Sequence, residues 1–206
     1  MEITFRQARP QDVEIAVPLI YSTGPAAFEF AFKTDVGKDA QSFLTYAFVR
    51  PGSEFSFDCH VCMEWNDQVV GIGGVYTGKD MPRFTLKAVQ FILSYYGLVQ
   101  GLKIIRRGLQ LEKKIIPPKG NTEYFAHLAV NPEFQGKGIG TQLLDYFWQN
   151  GREKGRESAS LDVSYENLRA KALYERFGFE VVRTIDSDLK NRFSYIPGHF
   201  KMFKYY

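Results

Sequence analysis

The sequence predicts an α/β fold in which helices flank a mixed, mostly antiparallel sheet. Two alternating apolar segments lie on either side of Asn66-Asp67, a pair that is typical of a tight hairpin turn. From residue 122 onward, strand-like segments alternate with segments of helical periodicity. The length of 206 residues suits one large domain, so we predict a single domain over 1–206.

Each element follows from the local pattern of apolar residues. Strands are predicted where apolar and polar residues alternate or where turn residues bound a short apolar run, and helices where apolar residues recur every three to four positions. The predicted strands are 3–8, 58–65, 68–77, 122–130, 159–165, 178–185 and 199–206. The predicted helices are 10–21, 26–32, 40–50, two stretches within 84–116, one of about 15 residues ending near Gly155, and 167–177.

The connection at about 77–120 is predicted to be a helical insertion before the fourth strand. We expect its two helical stretches to be broken near Gly97 and Gly101, because glycine weakens a helix. Its uncharged apolar run, 88–102, is shorter than the roughly 18–20 residues of a membrane span. We therefore interpret this run as a buried or interfacial helix and expect no association with a membrane.

Charge and cysteine content narrow the function classes. The formal net charge of +3 is too small to indicate a nucleic-acid-binding protein, so we expect no nucleic acid partner. Cys59 and Cys62 are the two cysteines of the sequence, which signals no disulfide framework and favours a reducing, cytoplasmic location. A structural zinc site needs four ligands and no second cysteine pair is present, so we interpret both as packed core residues and predict no metal site.

Three closely spaced glycines form the most informative local motif. Gly136, Gly138 and Gly140 lie between a predicted strand and a predicted helix. Glycine lets backbone N–H groups approach a ligand, and a helix N-terminus presents unpaired N–H groups with partial positive charge. The motif therefore predicts a phosphate or pyrophosphate site, with Lys137 adding charge at its rim.

The spacing of these glycines argues against the common nucleotide-binding loops. A Walker loop requires Gly-Lys followed by Ser or Thr, which does not occur in this sequence. A dinucleotide-binding fingerprint requires G-x-G-x-x-G directly after a strand, whereas the spacing here is G-x-G-x-G. A nucleotide-dependent enzyme is therefore a weakened alternative.

The stretch LAVNPEFQGKGIGTQLL (128–144) resembles the acetyl-CoA-binding motif of GNAT-type N-acetyltransferases, whose core is Q/R-x-x-G-x-G/A. The resemblance implies that the loop amides bind the pyrophosphate of coenzyme A and that the preceding strand pairs with the pantetheine arm. It assigns cofactor contact to two runs of residues, one on each side of Pro132. These residues are Leu128, Ala129, Val130, Gln135, Gly136, Lys137, Gly138, Ile139, Gly140 and Thr141.

A second motif, NLRAKALYERFGF (167–179), also resembles this family. Its periodicity predicts an amphipathic helix with four residues facing the core, namely Leu168, Ala172, Leu173 and Phe177. The resemblance implies that Asn167 contacts the pantetheine region and that Tyr174 lies near the thioester sulfur, where it protonates the leaving thiolate. A tyrosine suits that role because its pKa of about 10 keeps it protonated at neutral pH.

Several groups are candidates for the general base. Asp162 lies five residues before Asn167, where ribosomal-protein acetyltransferases of the family carry a glutamate. Glu123 and His127 lie on the preceding strand, where other members carry the base. Positions 123, 125, 127 and 129 share one face if that strand is regular, although a bulge would break the alternation. Bound water alone is the remaining alternative.

The resemblance therefore implies a GNAT-like domain that transfers the acetyl group of acetyl-CoA, as co-substrate, to a primary amine by direct attack through a tetrahedral intermediate. The alternative is a non-catalytic acyl-CoA-binding or regulatory protein. The acceptor is a small-molecule or peptide amine, which the motifs do not identify further. Two roles are open for the insertion at 77–120, a cover over the acceptor site or a homodimer contact.

Overall fold

A seven-stranded sheet forms the centre of the molecule in the order β1-β2-β3-β4-β5-β7-β6. The structure is a computed structural model that describes residues 2–206. The strands are β1 (Thr4–Gln7), β2 (His60–Trp65), β3 (Gln68–Thr77), β4 (Glu123–Val130), β5 (Ser158–Ser164), β6 (Glu180–Ile185) and β7 (His199–Tyr205). Neighbouring strands are antiparallel except β4 and β5, which are parallel. The predicted mixed, mostly antiparallel sheet is therefore confirmed, and the predicted strand ends are correct to within two residues.

Six α-helices cover the two faces of the sheet. They are α1 (Val13–Ser22), α2 (Pro25–Phe32), α3 (Ala40–Phe48), α4 (Met81–Glu112), α5 (Ile139–Glu153) and α6 (Leu168–Phe177). Helices α1 to α4 pack on one face in an apolar core that includes Ile20, Phe43 and Ile72. Helices α5 and α6 pack on the other face around Leu144 and Phe179. Burial of these two apolar layers is the main favourable contribution to folding.

The hairpin between β2 and β3 forms where the sequence predicts it. Asn66 and Asp67 have φ values of 49° and 59°, and Trp65 pairs with Gln68 across the turn. Two successive residues with positive φ are the signature of a turn whose twist matches that of the flanking strands. Asn and Asp tolerate this conformation better than most residues, which explains their presence here.

The insertion before β4 is helical, as predicted, but its break differs from the prediction. One helix, α4, spans Met81–Glu112, with non-helical dihedral angles at Gly97 (φ 74°, ψ 176°). The predicted second break at Gly101 is wrong, because this residue is helical and buried. A Cβ at position 101 would lie 2.9 Å from a terminal methyl group of Leu93, so a larger residue there would require the Leu93 side chain to move.

Helix α4 also exposes a large apolar surface. By length and composition alone, α4 is apolar enough to cross a membrane, and 28% of its most apolar window is buried. A core helix passes the same test, and the bend at Gly97 divides α4 into two segments that are each shorter than a span. The expectation that the protein does not associate with a membrane stays a prediction.

Strand β4 contains a bulge that changes which side chains share a face. Its register with β3 shifts between Ile72 and Gly74, and His127 adopts φ 52°. Before the bulge, Phe125 packs on the α5 side of the sheet, while after it Ala129 packs on the α1 side. A regular strand would have placed 125 and 129 on the same face. The bulge turns His127 away from the face that carries Glu123.

Candidate active site

Strands β4 and β5 diverge and leave a gap in the sheet. In the described residues they pair at two positions, Glu123 with Ala159 and Tyr124 with Ser160, both at the start of β4. From residue 125 onward, the β4 backbone faces this gap rather than β5. An open strand edge of this kind offers N–H and C=O groups to an extended ligand that contains amides.

The glycine loop lies at the wide end of the gap. Gly136 and Gly138 have φ values of 79° and 80°, and Gly138 directly precedes α5. A Cβ at either position would have no protein atom within 4 Å, so it would project into open space. Residues 138–141 at the start of the 15-residue α5 line this open space, and the N-terminus of a helix favours an anion.

A groove of about 490 Å³ connects this loop to the gap between β4 and β5. All the residues predicted to contact the cofactor line it except Lys137. They are Leu128, Ala129, Val130, Gln135, Gly136, Gly138, Ile139, Gly140, Thr141, Asn167 and Tyr174. Lys137 is exposed, with its ammonium 5.0 Å from the centre of the Phe134 ring. The two sequence motifs thus meet at one groove, although about 25 residues separate them.

Polar contacts shape the rim of the groove. The Gln135 side-chain amide donates to the Val130 carbonyl over 3.1 Å, and Arg169 donates to the Gln135 carbonyl oxygen over 2.9 Å. Arg169 and Arg176 both line the groove and were missed by sequence reasoning. Their spacing from Leu173 on α6 was the available signal, since residues three and four apart share a helix face. Their charge suits a phosphate-bearing ligand.

Asn167 caps α6 at the edge of the groove. Its side-chain oxygen accepts a hydrogen bond from the Ala170 backbone N–H over 3.0 Å. The carbonyl end of the side chain is thus engaged by the helix, while its NH₂ group can donate to a ligand. The predicted core face of α6 is wrong at Leu168, which is 66% exposed because it follows this cap on the solvent side.

Tyr174 lies at the inner end of the groove. The residue is buried, its ring packs edge-on against Phe179, and it lines the groove with Leu128 and Leu173. Burial raises the pKa of the Tyr174 phenol to about 12, so the hydroxyl stays protonated at neutral pH. A protonated hydroxyl at this place can act as a proton donor.

The three candidate bases occupy different environments. Glu123 is buried at the opposite end of β4 from the glycine loop, where Arg156 lies 3.2 Å from its carboxylate and the Tyr206 hydroxyl donates to it over 2.8 Å. Glu123 lies on the α5 face, and the bulge turns His127 away from that face. Both carboxylate oxygens are thus engaged in structural contacts, so we do not retain Glu123 as a base.

Asp162 is held by a buried lysine. The Lys201 ammonium and the Tyr124 hydroxyl each donate to Asp162 Oδ2 over 2.9 Å, and His199 Nε2 lies 3.4 Å from Oδ1. Lys201 also donates to the Ile116 carbonyl over 3.0 Å. These contacts tie one oxygen of the Asp162 carboxylate to the protein framework.

His127 lies on the bulge of β4 and directly precedes Leu128 in the chain, although its own side chain is not among those that line the groove. The residue is partly exposed, and its Nδ1 lies 3.0 Å from His60 Nε2. Burial of the ring, and then the neighbouring His60, keep the pKa of His127 well below its usual range. His127 is therefore neutral at neutral pH, the state that a base requires.

No cluster of metal-binding side chains was found in residues 2–206: three or more His, Cys, Asp or Glu do not come together there. Cys62 is buried and Cys59 is partly buried, each packing in a separate apolar cluster. The expectation that the chemistry uses no metal stays a prediction.

Comparison with known proteins agrees with this geometry. A curated mycothiol acetyltransferase from Propionibacterium freudenreichii subsp. shermanii is 47% identical over 57 residues, which is 28% of this chain and 18% of that protein. The chain thus aligns with about a fifth of the length of the curated relatives it matches.

Solved structures share the fold over nearly the whole chain. An N-acetyltransferase from Staphylococcus aureus Mu50 has a TM-score of 0.66 at 16% identity, covering 98% of this chain and all of that one. The protein yncA from Salmonella typhimurium, solved with acetyl-CoA, has a TM-score of 0.56 at 15% identity, covering 100% of this chain and 94% of that one. The model of the acetyltransferase (GNAT) family matches residues 27–179. The chain belongs to the GNAT acetyltransferase family.

Proposed function

We propose that this protein transfers the acetyl group of acetyl-CoA to a primary amine by direct attack. The observation that carries the proposal is the groove between β4 and β5, which joins the open N–H groups of the glycine loop to the buried Tyr174 hydroxyl. The groove thus combines an anion cradle and a proton donor, and an acyl-CoA carries both an anionic pyrophosphate and a thioester that needs a proton donor.

Different residues of the groove would bind different parts of acetyl-CoA. The N–H groups around Gly136 and Gly138 would bind the pyrophosphate, with Arg169 and Arg176 adding positive charge at the rim. The unpaired edge of β4 near Leu128 would accept the pantetheine amides, as a further strand would. The Asn167 NH₂ group lies beside this path.

The chemical step requires two proton transfers. The neutral amine nitrogen forms a bond to the thioester carbonyl carbon, giving a tetrahedral intermediate, and the C–S bond then breaks. Tyr174 donates its proton to the departing thiolate. His127, neutral and beside the groove, takes the proton from the attacking nitrogen. Asp162, through its Oδ1, and bound water are the alternative acceptors of that proton.

The first experiment compares thermal unfolding with and without ligands. Acetyl-CoA at about 100 times its Kd should add about 2.7 kcal/mol to the free energy of unfolding and raise Tm by roughly 5–10 °C. NAD and ATP at equal concentration should leave Tm unchanged. If ATP or NAD stabilises the protein and acetyl-CoA does not, the proposal is wrong.

A second experiment separates catalysis from binding. A panel of amines that includes peptide N-termini, lysine, polyamines and aminoglycosides is screened for CoA release in the presence of acetyl-CoA. Turnover with any of these amines supports a transferase. Stabilisation by acetyl-CoA with no CoA release across the panel would instead favour the non-catalytic acyl-CoA-binding protein.

A further inference from the structure

Two histidines form a hydrogen-bonded pair beside the groove. His60 is fully buried at the start of β2, and its Nε2 lies 3.0 Å from His127 Nδ1 on the β4 bulge. The other nitrogen of His60, Nδ1, lies 2.8 Å from the Ser56 carbonyl oxygen. The two rings are nearly parallel, with centres 5.2 Å apart. One chain of contacts thus runs from a backbone carbonyl through both imidazoles.

The Ser56 carbonyl determines where the protons of this pair lie. A carbonyl oxygen can only accept a hydrogen bond, so His60 Nδ1 must carry a proton and donate it. In a neutral imidazole the other nitrogen then has a free lone pair, so His60 Nε2 is an acceptor. The contact to His60 therefore requires a proton on His127 Nδ1. Neutral His127 is left with a bare lone pair on Nε2.

The surroundings keep both rings neutral and in place. Burial lowers the pKa of His60 to about 4, and burial together with His60 holds the pKa of His127 well below its usual range. The aromatic ring of Phe28 lies 6.0 Å from that of His127, and Phe55 lies 5.7 Å from it. Phe48 packs 6.1 Å from the His60 ring. The rings of Phe28 and Phe55 restrict reorientation of the His127 imidazole.

We infer that His60 is a positioning residue, which holds His127 in the tautomer whose Nε2 can accept the proton of the attacking amine. The inference rests on the proposed acetyl transfer. When the amine attacks, its proton moves to His127 Nε2, and the resulting imidazolium continues to donate from Nδ1 to His60 Nε2. The hydrogen bond from His127 Nδ1 to His60 Nε2 is thus present both before and after the proton transfer. Nothing in the motif that carries the glycine loop points to His60, which lies 67 residues before His127.

The first test uses NMR, because the sequence contains three histidines. In protein labelled with ¹⁵N-histidine, long-range ¹H–¹⁵N spectra at pH 7.5 distinguish the two neutral tautomers. His60→Gln and His127→Ala assign the signals. We expect both His60 and His127 to carry the proton on Nδ1 in the unmodified protein. A proton on His127 Nε2 would overturn the inference, whether or not acetyl transfer occurs.

The second test uses kinetics of matched variants. His127→Ala should lower kcat by about 100-fold, within the usual range for loss of a general base. His60→Leu, which removes the acceptor for His127 Nδ1, should lower kcat by at least about tenfold, with acetyl-CoA affinity unchanged. In His60→Gln a side-chain oxygen can replace the acceptor, so kcat should recover to within about fivefold of the unmodified protein.

Controls separate positioning from packing. Phe48→Leu perturbs the same core without touching the hydrogen bonds and should keep kcat unchanged. The double variant His60→Leu/His127→Ala should be no slower than His127→Ala alone, because the two residues act as one unit. Equal kcat values for His60→Leu and the unmodified protein, or additive losses in the double variant, would refute the role of His60. If no amine is acetylated at all, the proposed function fails, and the NMR spectra still decide the tautomer.

Discussion

At the scale of single residues, the site depends on protons held by burial rather than by charge partners. Tyr174 keeps its proton because its ring is buried at the inner end of the groove, and His127 stays neutral for the same reason. Burial thus keeps the Tyr174 hydroxyl protonated and the His127 imidazole neutral at neutral pH. Glu123, at the opposite end of β4 from the glycine loop, is instead paired with Arg156.

Removal of the Tyr174 hydroxyl should affect the chemical step and leave binding intact. We expect Tyr174→Phe to lower kcat by about 100-fold or more, because the thiolate would leave without a proton donor. The ring and its contact with Phe179 remain, so the Kd for acetyl-CoA, measured by calorimetry, should stay within about twofold. Tyr146→Phe, at a tyrosine that stacks on Phe5 outside this groove, is the matched control. Unchanged turnover in Tyr174→Phe would remove this residue as the acid.

At the scale of elements, a helix end and a strand edge provide backbone hydrogen-bonding groups to the groove. The start of α5 and the open edge of β4 present backbone groups to the groove, so few side chains are needed to hold the ligand. The carbonyl groups at the end of α2 also have partners, because side chains from other parts of the chain donate hydrogen bonds to them. Arg107 of α4 donates to the Lys33 carbonyl over 2.7 Å, and Asn191 donates to the Phe30 carbonyl over 3.0 Å.

The glycine loop permits a direct test. Gly138→Val should weaken acetyl-CoA binding by about 10- to 100-fold, the equivalent of one or two charge-assisted hydrogen bonds of about 1.5–3 kcal/mol in total. Gly37→Val is a matched control, because Gly37 has φ 79° and equally open surroundings but lies in the turn after α2. Both variants carry the same backbone strain. Equal loss of affinity in both, or in neither, would mean that the loop is not the cradle.

The contact between α4 and α2 yields a prediction about stability. Arg107→Ala removes donors to the carbonyls of Ala31 and Lys33, and the stacking of the guanidinium 5.0 Å above Phe193. Unfolding in urea should show a loss of about 1.5–3 kcal/mol. Its neighbour Arg106 is exposed, so Arg106→Ala should change the free energy of unfolding by less than about 0.5 kcal/mol. Similar losses in the two variants would contradict the capping role.

At the scale of the whole molecule, the sheet divides two apolar cores and brings distant residues to one gap. His60 on β2 and His127 on β4 meet across β3, while Tyr174 approaches from the opposite face through α6. Buried neutral histidines also couple this arrangement to folding. The free energy of unfolding must therefore depend on pH through the same residues that we assign to the site.

His60 should make the protein sensitive to acid. Its pKa is about 4 in the folded state and about 6.5 when unfolded, so the unfolded chain binds the proton first as pH falls. The stabilisation is complete above pH 6.5 and is lost between pH 6.5 and pH 4. The free energy of unfolding is measured in urea at pH 7.5 and at pH 4.5. Between these two pH values it should fall by about 2–3 kcal/mol less in His60→Gln than in the unmodified protein.

Glu54 has the opposite effect on how the free energy of unfolding depends on pH. The effect of His60 is therefore measured by comparing the unmodified protein with His60→Gln. Burial, with Glu112 nearby, raises the pKa of Glu54 to about 7, so its contribution is present at low pH and is lost as pH rises from about 4.5 to 7. The difference between the unmodified protein and His60→Gln cancels this effect. Parallel pH curves for the two proteins would mean that His60 is not held neutral by the fold.

The sequence alone determined those features of the protein that depend on residues close together in the chain. Hydrophobic periodicity, the Asn66-Asp67 turn and the glycines before α5 predict all seven strands, the hairpin and the glycine loop that lines the groove, because turn chemistry and helix ends depend on neighbouring residues. Tertiary structure alone decided which side chains meet. The β4 bulge put His127 on His60, an ion pair with Arg156 engaged Glu123, and Lys201 held Asp162. These contacts join residues 33 to 67 positions apart, and only packing brings such residues within hydrogen-bonding distance.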